Sequence, residues 1–361
     1  DMLNVPLIGD KLDVRAAGEW TKRDGYSFNS TTDKPVDGRD LWSTRLTVGF
    51  KPIERLQAYL VWEHFSEDDD RMRTAKQLCK KDSGPDNVDG LNTTNLADFF
   101  PNNLTHQSAF WHAFLSQGCL PTSLYSPDAF QTPNGQAIPF VFADAYIFNA
   151  FGAVGFLINQ TDPYASKTQS RDLRVIESDI SPTYRAKNDT IEFNIDFDLT
   201  PSLTLTSQTG YNSDELSSTE DFNRFNTAHG LIANDPGFDG FHYPSVSVNG
   251  VYCDPQLGCS DKMVGEDLSR EHAWQFSQEA RLASHFSGPF NFSLGANYMH
   301  YRTVEDYFVF INLLSLTVQK SNGAGLGDLT HCYDAFDNVV TVSPIPYFNS
   351  DGLAVQANYG C

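Results

Sequence analysis

The stretch Ile191-Glu192-Phe193-Asn194-Ile195-Asp196-Phe197-Asp198-Leu199 alternates apolar and polar residues without a break. Because successive side chains of a β-strand point to opposite faces, this period of two predicts a strand with one apolar and one polar face. About nine to eleven tilted residues are enough for a strand to cross the hydrocarbon core of a bilayer. The turn Thr200-Pro201-Ser202 follows, and a second alternating strand begins at Leu203.

The same alternation recurs along much of the chain. It predicts strands over Leu12–Trp20, Trp42–Phe50, Leu56–Glu63, Leu203–Tyr211, Trp274–Leu282 and Phe290–Tyr298. A less regular strand is expected around Leu173–Arg185, just before Ile191. The pattern therefore predicts about eight strands.

The connections between these strands are short at one end and long at the other. Tight turns fall at Leu7–Asp10, Lys51–Glu54, Thr200–Ser202 and Ser287–Pro289, whereas long polar stretches lie near residues 22–38, 66–170 and 212–269. This asymmetry is typical of outer-membrane barrels, which have short periplasmic turns and long extracellular loops. It predicts an all-β fold: an antiparallel, up-and-down transmembrane β-barrel, present as a partial barrel with long extracellular loops.

Aromatic residues recur near the predicted strand ends, as in the girdles at membrane interfaces. They are Trp20, Trp42, Trp62, Tyr211, Trp274 and Tyr298. A soluble sandwich would also alternate, because it packs one face of each sheet in a dry core. Alternation alone does not separate the two; loop asymmetry and strand length favour the membrane barrel.

Composition excludes several classes of function. The 46 acidic residues outnumber the 25 basic ones, and the formal charge of −21 disfavours nucleic-acid binding. The sequence has no phosphate loop, dinucleotide fingerprint, nucleophile elbow or zinc-protease motif, so we expect no enzyme activity, no metal and no cofactor. The acidic run Glu67–Asp70 lacks the frame of a calcium loop, and a solvated acidic loop is the favoured interpretation.

Six cysteines lie outside every predicted strand. Cys79 and Cys119 share one loop, Cys253 and Cys259 another, and Cys332 and Cys361 the last segment. Their proximity predicts three local disulfides and an oxidising compartment, because none of the spacings is typical of a zinc site.

The segment from Pro139 to Ile158 is unusually aromatic for a loop. One hypothesis is that Phe140, Phe142, Tyr146 and Phe148 form a ligand-binding surface over the barrel mouth. The favoured alternative is a self-packed loop subdomain clipped by a Cys79–Cys119 disulfide. Pro139, Asp144, Asn149 and two glycines interrupt this segment, so a membrane-spanning helix is not expected there.

Several segments resemble the barrel strands of TonB-dependent outer-membrane receptors, in the branch common among sphingomonad-like and related proteobacteria. They are Asn4–Leu7, Leu12–Glu19, Arg23–Tyr26, Leu41–Leu46, Phe50–Tyr59 and Ser277–Ser284. The resemblance implies that residues 1–361 are part of one barrel domain, which in the family has about 22 strands. The plug domain with its TonB box and the C-terminal closing strands are expected to be absent, as is a signal peptide.

The resemblance also implies the function. It predicts active transport across the bacterial outer membrane, with a scarce ligand such as a ferric siderophore as cargo. The expected partners are outer-membrane lipid, that small ligand, and TonB through the missing plug. Two alternatives remain open: a small porin-like or adhesive outer-membrane barrel, and a secreted, disulfide-bonded all-β carbohydrate-binding module or enzyme.

Overall fold

The main feature of the computed structural model is one antiparallel sheet of eight long strands. The structure describes residues 1–93, 112, 114–143, 158, 162–222, 225–234, 246–321, 331–333 and 339–341. The strands are β1 (Met2–Ile8), β2 (Leu12–Arg23), β3 (Arg39–Ile53), β4 (Leu56–Asp69), β5 (Thr183–Thr200), β6 (Leu203–Glu220), β7 (Gly265–Ser284) and β8 (Ser293–Ile311). They pair in chain order, and the sheet is open, with β1 and β8 at its edges. The all-β, up-and-down prediction is confirmed as an open sheet that matches part of a barrel wall.

The prediction of a separate strand around Leu173–Arg185 is wrong. Within that range, Val175–Ile176 belongs to a small sheet, and the last three residues already belong to β5, which begins at Thr183. The direction of the chain explains why. A further long strand before β5 would reverse the direction in which β5 crosses the sheet. The tight turn that follows β5 would then fall at the end of the sheet where the long loops lie.

Register makes one face of the sheet predominantly apolar. Directly opposed residues share a face, so each rung can be followed from strand to strand. One rung contains Ala16, Leu46, Trp62, Ile191, Tyr211 and Phe276, and the next contains Val14, Val48, Leu60, Phe193 and Thr209. We call this side the outer face and the opposite, polar side the inner face.

The long connections pack together at one end of the sheet as a loop cap. We define it as the described residues of 24–38, 70–143, 158–182, 221–264 and 312–321. Its short strands pair as Ser27–Asn29 with Lys34–Val36 and Val175–Ile176, Lys80–Lys81 with Cys119–Leu120, Asn87–Val88 with Leu91–Asn92, and Tyr252–Asp254 with Gly258–Ser260. Farther along the chain, His331–Tyr333 pairs with Val339–Thr341.

Two helices are described: α1 (Ala137–Ala143) and α2 (Asn312–Ser321). Neither has the length and apolar character that a membrane-crossing helix needs. Helix α2 contributes Leu313 and Leu316 to a buried apolar cluster of the cap, together with Ile232 and Tyr252. The cap therefore has a core of its own.

Candidate functional site

The outer face of the sheet is apolar and exposed. Trp20 is 67% exposed, Phe50 46% and Ile191 43%. Among the described residues, each long strand packs against its neighbours in the sheet, and no second sheet covers this face. Water-soluble monomers rarely expose apolar patches of this extent, so the face requires an apolar environment.

Tryptophans mark the upper edge of this apolar band, at the end nearer the cap. The indole N–H of Trp20 donates to Asp40 Oδ1 at 3.1 Å, and that of Trp62 donates to Asp189 Oδ1 at 3.3 Å. Asp40 and Asp189 both lie nearer the cap than the tryptophan they bind. Each ring thus has its apolar body towards the band and its polar atom towards the cap, which is how tryptophan sits at a membrane interface.

The band has a measurable height. The eight residue steps from Leu12 to Trp20 correspond to about 26 Å along the strand. At a strand tilt of about 40° this becomes about 20 Å along the axis of a barrel, close to the ~25 Å apolar band of outer-membrane barrels.

The inner face is polar and carries both signs of charge. Arg45 and Glu63 form an ion pair of 2.9 Å across β3 and β4. Closer to the tight turns, the hydroxyl groups of Thr204 and Thr206 donate to Asp198 and Asp196 at 2.7 and 2.6 Å. A groove of about 420 Å³ on this face is lined by polar side chains that include Glu192, Asn194, Gln208, Glu279 and Asn297. Such a surface suits water or a hydrated solute.

The loop cap is held together by a buried polar network. The Lys262 ammonium group pairs with Asp179 and donates to Asn226 Oδ1 at 2.9 Å. Asn226 in turn donates to Thr31 Oγ1 at 2.9 Å. The side chains of Lys262 and Asp179 are only 10% and 15% exposed. Because these residues come from three separate connections, the network fixes the connections against one another.

A cavity of about 190 Å³ lies within the cap. Its lining includes Lys76, Lys167 and Glu177, and the last two form an ion pair of 3.0 Å. Lys76 donates to the backbone carbonyl of Asp172 at 2.8 Å. Burial lowers the pKa of Lys76, and the carboxylates of Asp172 and Glu177 oppose this effect. The cavity is too small for a siderophore-sized ligand, since drug-sized pockets have about 300 to 1,000 Å³.

Two of the three predicted disulfides are present. Cys79 pairs with Cys119 and Cys253 pairs with Cys259. Cys79 is fully buried against Tyr164 and Phe225 in a second apolar cluster. The third expected pair, Cys332 with Cys361, includes a residue outside the described part of the chain.

The aromatic residues predicted to bind ligand are only partly described. Phe140 and Phe142 lie in α1, and Phe142 packs against the apolar cluster that contains Ile232 and Tyr252. Tyr146 and Phe148 lie outside the described residues. The contact of Phe142 is the one that a self-packed loop subdomain would make. A binding role for the four residues stays a prediction.

The acidic run Glu67–Asp70 has a structural role that the sequence did not reveal. Its first three residues complete β4. Asp69 accepts from the backbone N–H of Asp40 at 3.2 Å, and Asp70 accepts from that of Gly38 at 2.6 Å. These carboxylates therefore fasten the β2–β3 connection to the end of β4. Within the described ranges, no cluster of three or more His, Cys, Asp or Glu side chains is arranged to hold a metal ion.

Comparison with known proteins gives little. No protein-family model matches the sequence, and no curated protein matches it. Among solved structures, the chain is similar to the ferric yersiniabactin uptake receptor FyuA from Yersinia pestis, with 9% sequence identity and a TM-score of 0.27. The match covers 86% of this chain and 40% of that receptor, so the chain spans less than half of its length. A likeness this weak carries no argument.

Proposed function

We propose that this chain forms part of the wall and the extracellular loop cap of a TonB-dependent active-transport receptor in the bacterial outer membrane. The observation that carries the proposal is the exposed outer face, with its apolar band and its upper row of tryptophans bonded towards the cap. A β-structure crosses a membrane only with its backbone groups paired within the sheet and its apolar side chains facing lipid. Outer-membrane lipid is therefore the first partner we propose.

The inner face supports a transport role rather than catalysis. It has polar side chains of both signs and a groove lined by amides and carboxylates, which suit a hydrated solute. We propose a scarce ligand such as a ferric siderophore as the cargo, and TonB, acting through a plug domain, as the source of energy. The net charge of −21 favours a siderophore complex that is not strongly anionic. We propose no enzymatic step.

Fluorescence tests the membrane part of the proposal. A variant that keeps Trp62 and replaces the other four tryptophans by phenylalanine is reconstituted in vesicles that contain brominated lipid. We expect strong quenching of Trp62, together with a folded band that migrates differently from the boiled protein on gels. An unquenched Trp62 in a folded protein would contradict insertion.

Uptake tests the transport part. Deletion of the gene should abolish growth on a ferric siderophore as the sole iron source, and deletion of tonB should do the same. Growth that is unaffected by the gene across a panel of siderophores would exclude this cargo while leaving insertion untouched.

A further inference from the structure

One depression on the inner face of the sheet lies above the strands β4 to β8. Its volume of about 420 Å³ falls within the ~300–1,000 Å³ range of small-molecule sites. We call it the inner groove, and its polar lining includes Tyr59, Glu192, Asn194, Gln208, Glu279 and Asn297. Gly210, opposite Glu192 on the neighbouring strand, leaves the floor between these side chains open. The inner groove is therefore large enough to hold part of a transported solute.

The charge of the inner groove is negative. Among the described residues that line it, the two charged ones are Glu192 and Glu279. Neither carboxylate forms an ion pair or a hydrogen bond within the described part of the chain. Arg281 lies on the same face two residues after Glu279, but these two side chains form no ion pair with each other. Two carboxylates without a partner therefore line the same groove.

A buried amide adds a further polar group that lacks a partner. Asn194 is 7% exposed, and its side chain forms no hydrogen bond with any residue that the structure describes. Buried polar side chains are normally hydrogen-bonded, because an unpaired one carries the full cost of its desolvation. Since Asn194 lines the inner groove, an occupant of the groove can supply the missing hydrogen bonds.

The chemistry of the lining favours a cation as the occupant. Carboxylate, amide and phenol oxygens accept hydrogen bonds, and an ammonium group donates three and accepts none. Glu192 on β5 and Glu279 on β7 are two strand spacings apart, about 10 Å. An ammonium group above β6 is therefore within reach of both side chains. An anionic group at the same place would meet two like charges.

We propose that the inner groove binds a cationic arm of the transported ligand, an ammonium group carried by a ferric siderophore. This inference rests on the proposed transport function and deepens it, because it assigns a sign of charge to the cargo. The groove lies at the level of the apolar band but on the polar face, as the positions of Ile191 and Glu192 show. A solute that crosses the membrane along this face passes the groove. Exposed ion pairs are individually weak, which suits a site that must also release its ligand.

The test uses ferric complexes of one linear trihydroxamate that differ only at a terminal amine. The free amine gives a complex with a positive charge, the acetylated amine a neutral complex, and the succinylated amine a complex with a negative charge. Binding to the full chain in dodecyl maltoside is measured by equilibrium dialysis, with the absorbance of the ferric complex as the readout. The variant Glu192→Gln/Glu279→Gln removes both groove carboxylates. The control Glu215→Gln/Asp306→Asn removes the same charge from the outer face of β6 and β8.

We expect the wild-type protein to bind the cationic complex roughly fivefold more tightly than the neutral one, and the anionic complex most weakly. Fivefold corresponds to ~1 kcal/mol, the upper end of the range for one exposed ion pair. In the groove variant the three complexes should bind within about twofold of one another. The control should keep the wild-type preference. Salt at about 1 M shortens the Debye length to ~3 Å and should reduce the preference of the wild-type protein as well.

Equal binding of the three complexes by the wild-type protein would overturn the cationic groove and leave the siderophore cargo in place. Loss of the preference in both variants would assign it to net charge and overturn the groove as the site. Quenching of Trp62 by brominated lipid, measured without ligand, tests insertion separately. If Trp62 is quenched but no complex binds, the groove and the trihydroxamate cargo both fail while insertion stands. An unquenched Trp62 in the folded protein overturns the proposed function itself.

Discussion

Replacing Ile195 by Arg tests whether the outer face of the sheet contacts lipid. Ile195 is central in the apolar part of β5, and its side chain lies between Ala58 of β4 and Ser207 of β6. Because both neighbours are small, an arginine at this position meets no bulky side chain directly across either strand pair. The cost of the substitution therefore comes mainly from what surrounds the sheet.

The expected magnitude depends on the face. An arginine on the lipid face near the bilayer midplane destabilises a barrel by ~2–4 kcal/mol. At ~1.4 kcal/mol per tenfold, this is about 30- to 700-fold in the folding equilibrium. Glu192→Arg is the matched control, because Glu192 lies on the inner face of the same strand and lines the polar groove. Ile195→Met keeps an apolar side chain of similar volume and should cost less than about 1.5 kcal/mol.

Urea titrations of the protein in vesicles provide the free energy of unfolding for each variant, with the heat-modifiable gel shift reporting the folded fraction. We expect Ile195→Arg to unfold at clearly lower urea than the other two variants. If Ile195→Arg and Glu192→Arg prove equally stable, or equally damaged, the two faces do not differ in environment. The apolar band would then not face lipid.

Three further predictions concern the cap. Lys262→Met leaves the Asp179 carboxylate buried without its cationic partner, so amide exchange in the network should rise about 140- to 4,000-fold, corresponding to the ~3–5 kcal/mol cost of a broken buried pair; an unchanged rate would refute the role of the pair. Removing the Cys79–Cys119 disulfide, whose residues are 40 apart, should destabilise the cap by about 4 kcal/mol in the chain-entropy model, measured by urea-dependent proteolysis. A hydrogen bond from the Ser126 hydroxyl holds the pKa of Asp128 below its ordinary value of 3.8. The stability that this hydrogen bond gives the loop is therefore present above pH 3.8 and lost as the pH falls through the lowered pKa of Asp128. Amide exchange in the loop around Asp128, corrected for intrinsic rates, should accelerate over the same fall in pH.

The parts of the strands within the apolar band could be predicted from the sequence. There, one face of the sheet meets an apolar environment and the other a polar one. Apolar and polar residues therefore alternate along each strand with a period of two. This is why Leu203–Tyr211 and Trp274–Leu282 were found with the correct faces. It also fixes register, because a slip of one residue would move the whole apolar set to the other side.

The extensions of the strands beyond the band could not be predicted. β5 begins at Thr183, and its first eight residues, Thr183–Thr190, carry polar side chains at nearly every position. Both faces of the sheet are polar in this region, because Arg185 and Lys187 lie on the outer face and Asn188 and Thr190 on the inner face. Without an apolar face there is no alternation to detect, so the sequence pattern predicts an irregular strand too early in the chain, around Leu173–Arg185.

The cap was beyond sequence reasoning for a different reason. Lys262 and Asp179 are 83 residues apart, and Asn226 and Thr31 are 195 apart. Such pairs leave no local signal, since any lysine and any aspartate in a polar loop look alike. The two disulfides that the structure describes were predictable because cysteine is rare in this chain and each of these pairs falls within one connection.

Strand length connects the sheet to the cap. β5 to β8 contain 18, 18, 20 and 19 residues, whereas about nine to eleven suffice to cross a bilayer. Tight turns close the strands at one end, and Arg55 ties two neighbouring turns by donating to the backbone carbonyls of Asp198 and Leu199 at 2.6 to 2.8 Å. The strand residues beyond those needed to cross a bilayer must therefore extend past the apolar band at the other end of the sheet, where the cap lies. The cap is therefore held clear of the apolar band by the extended strands.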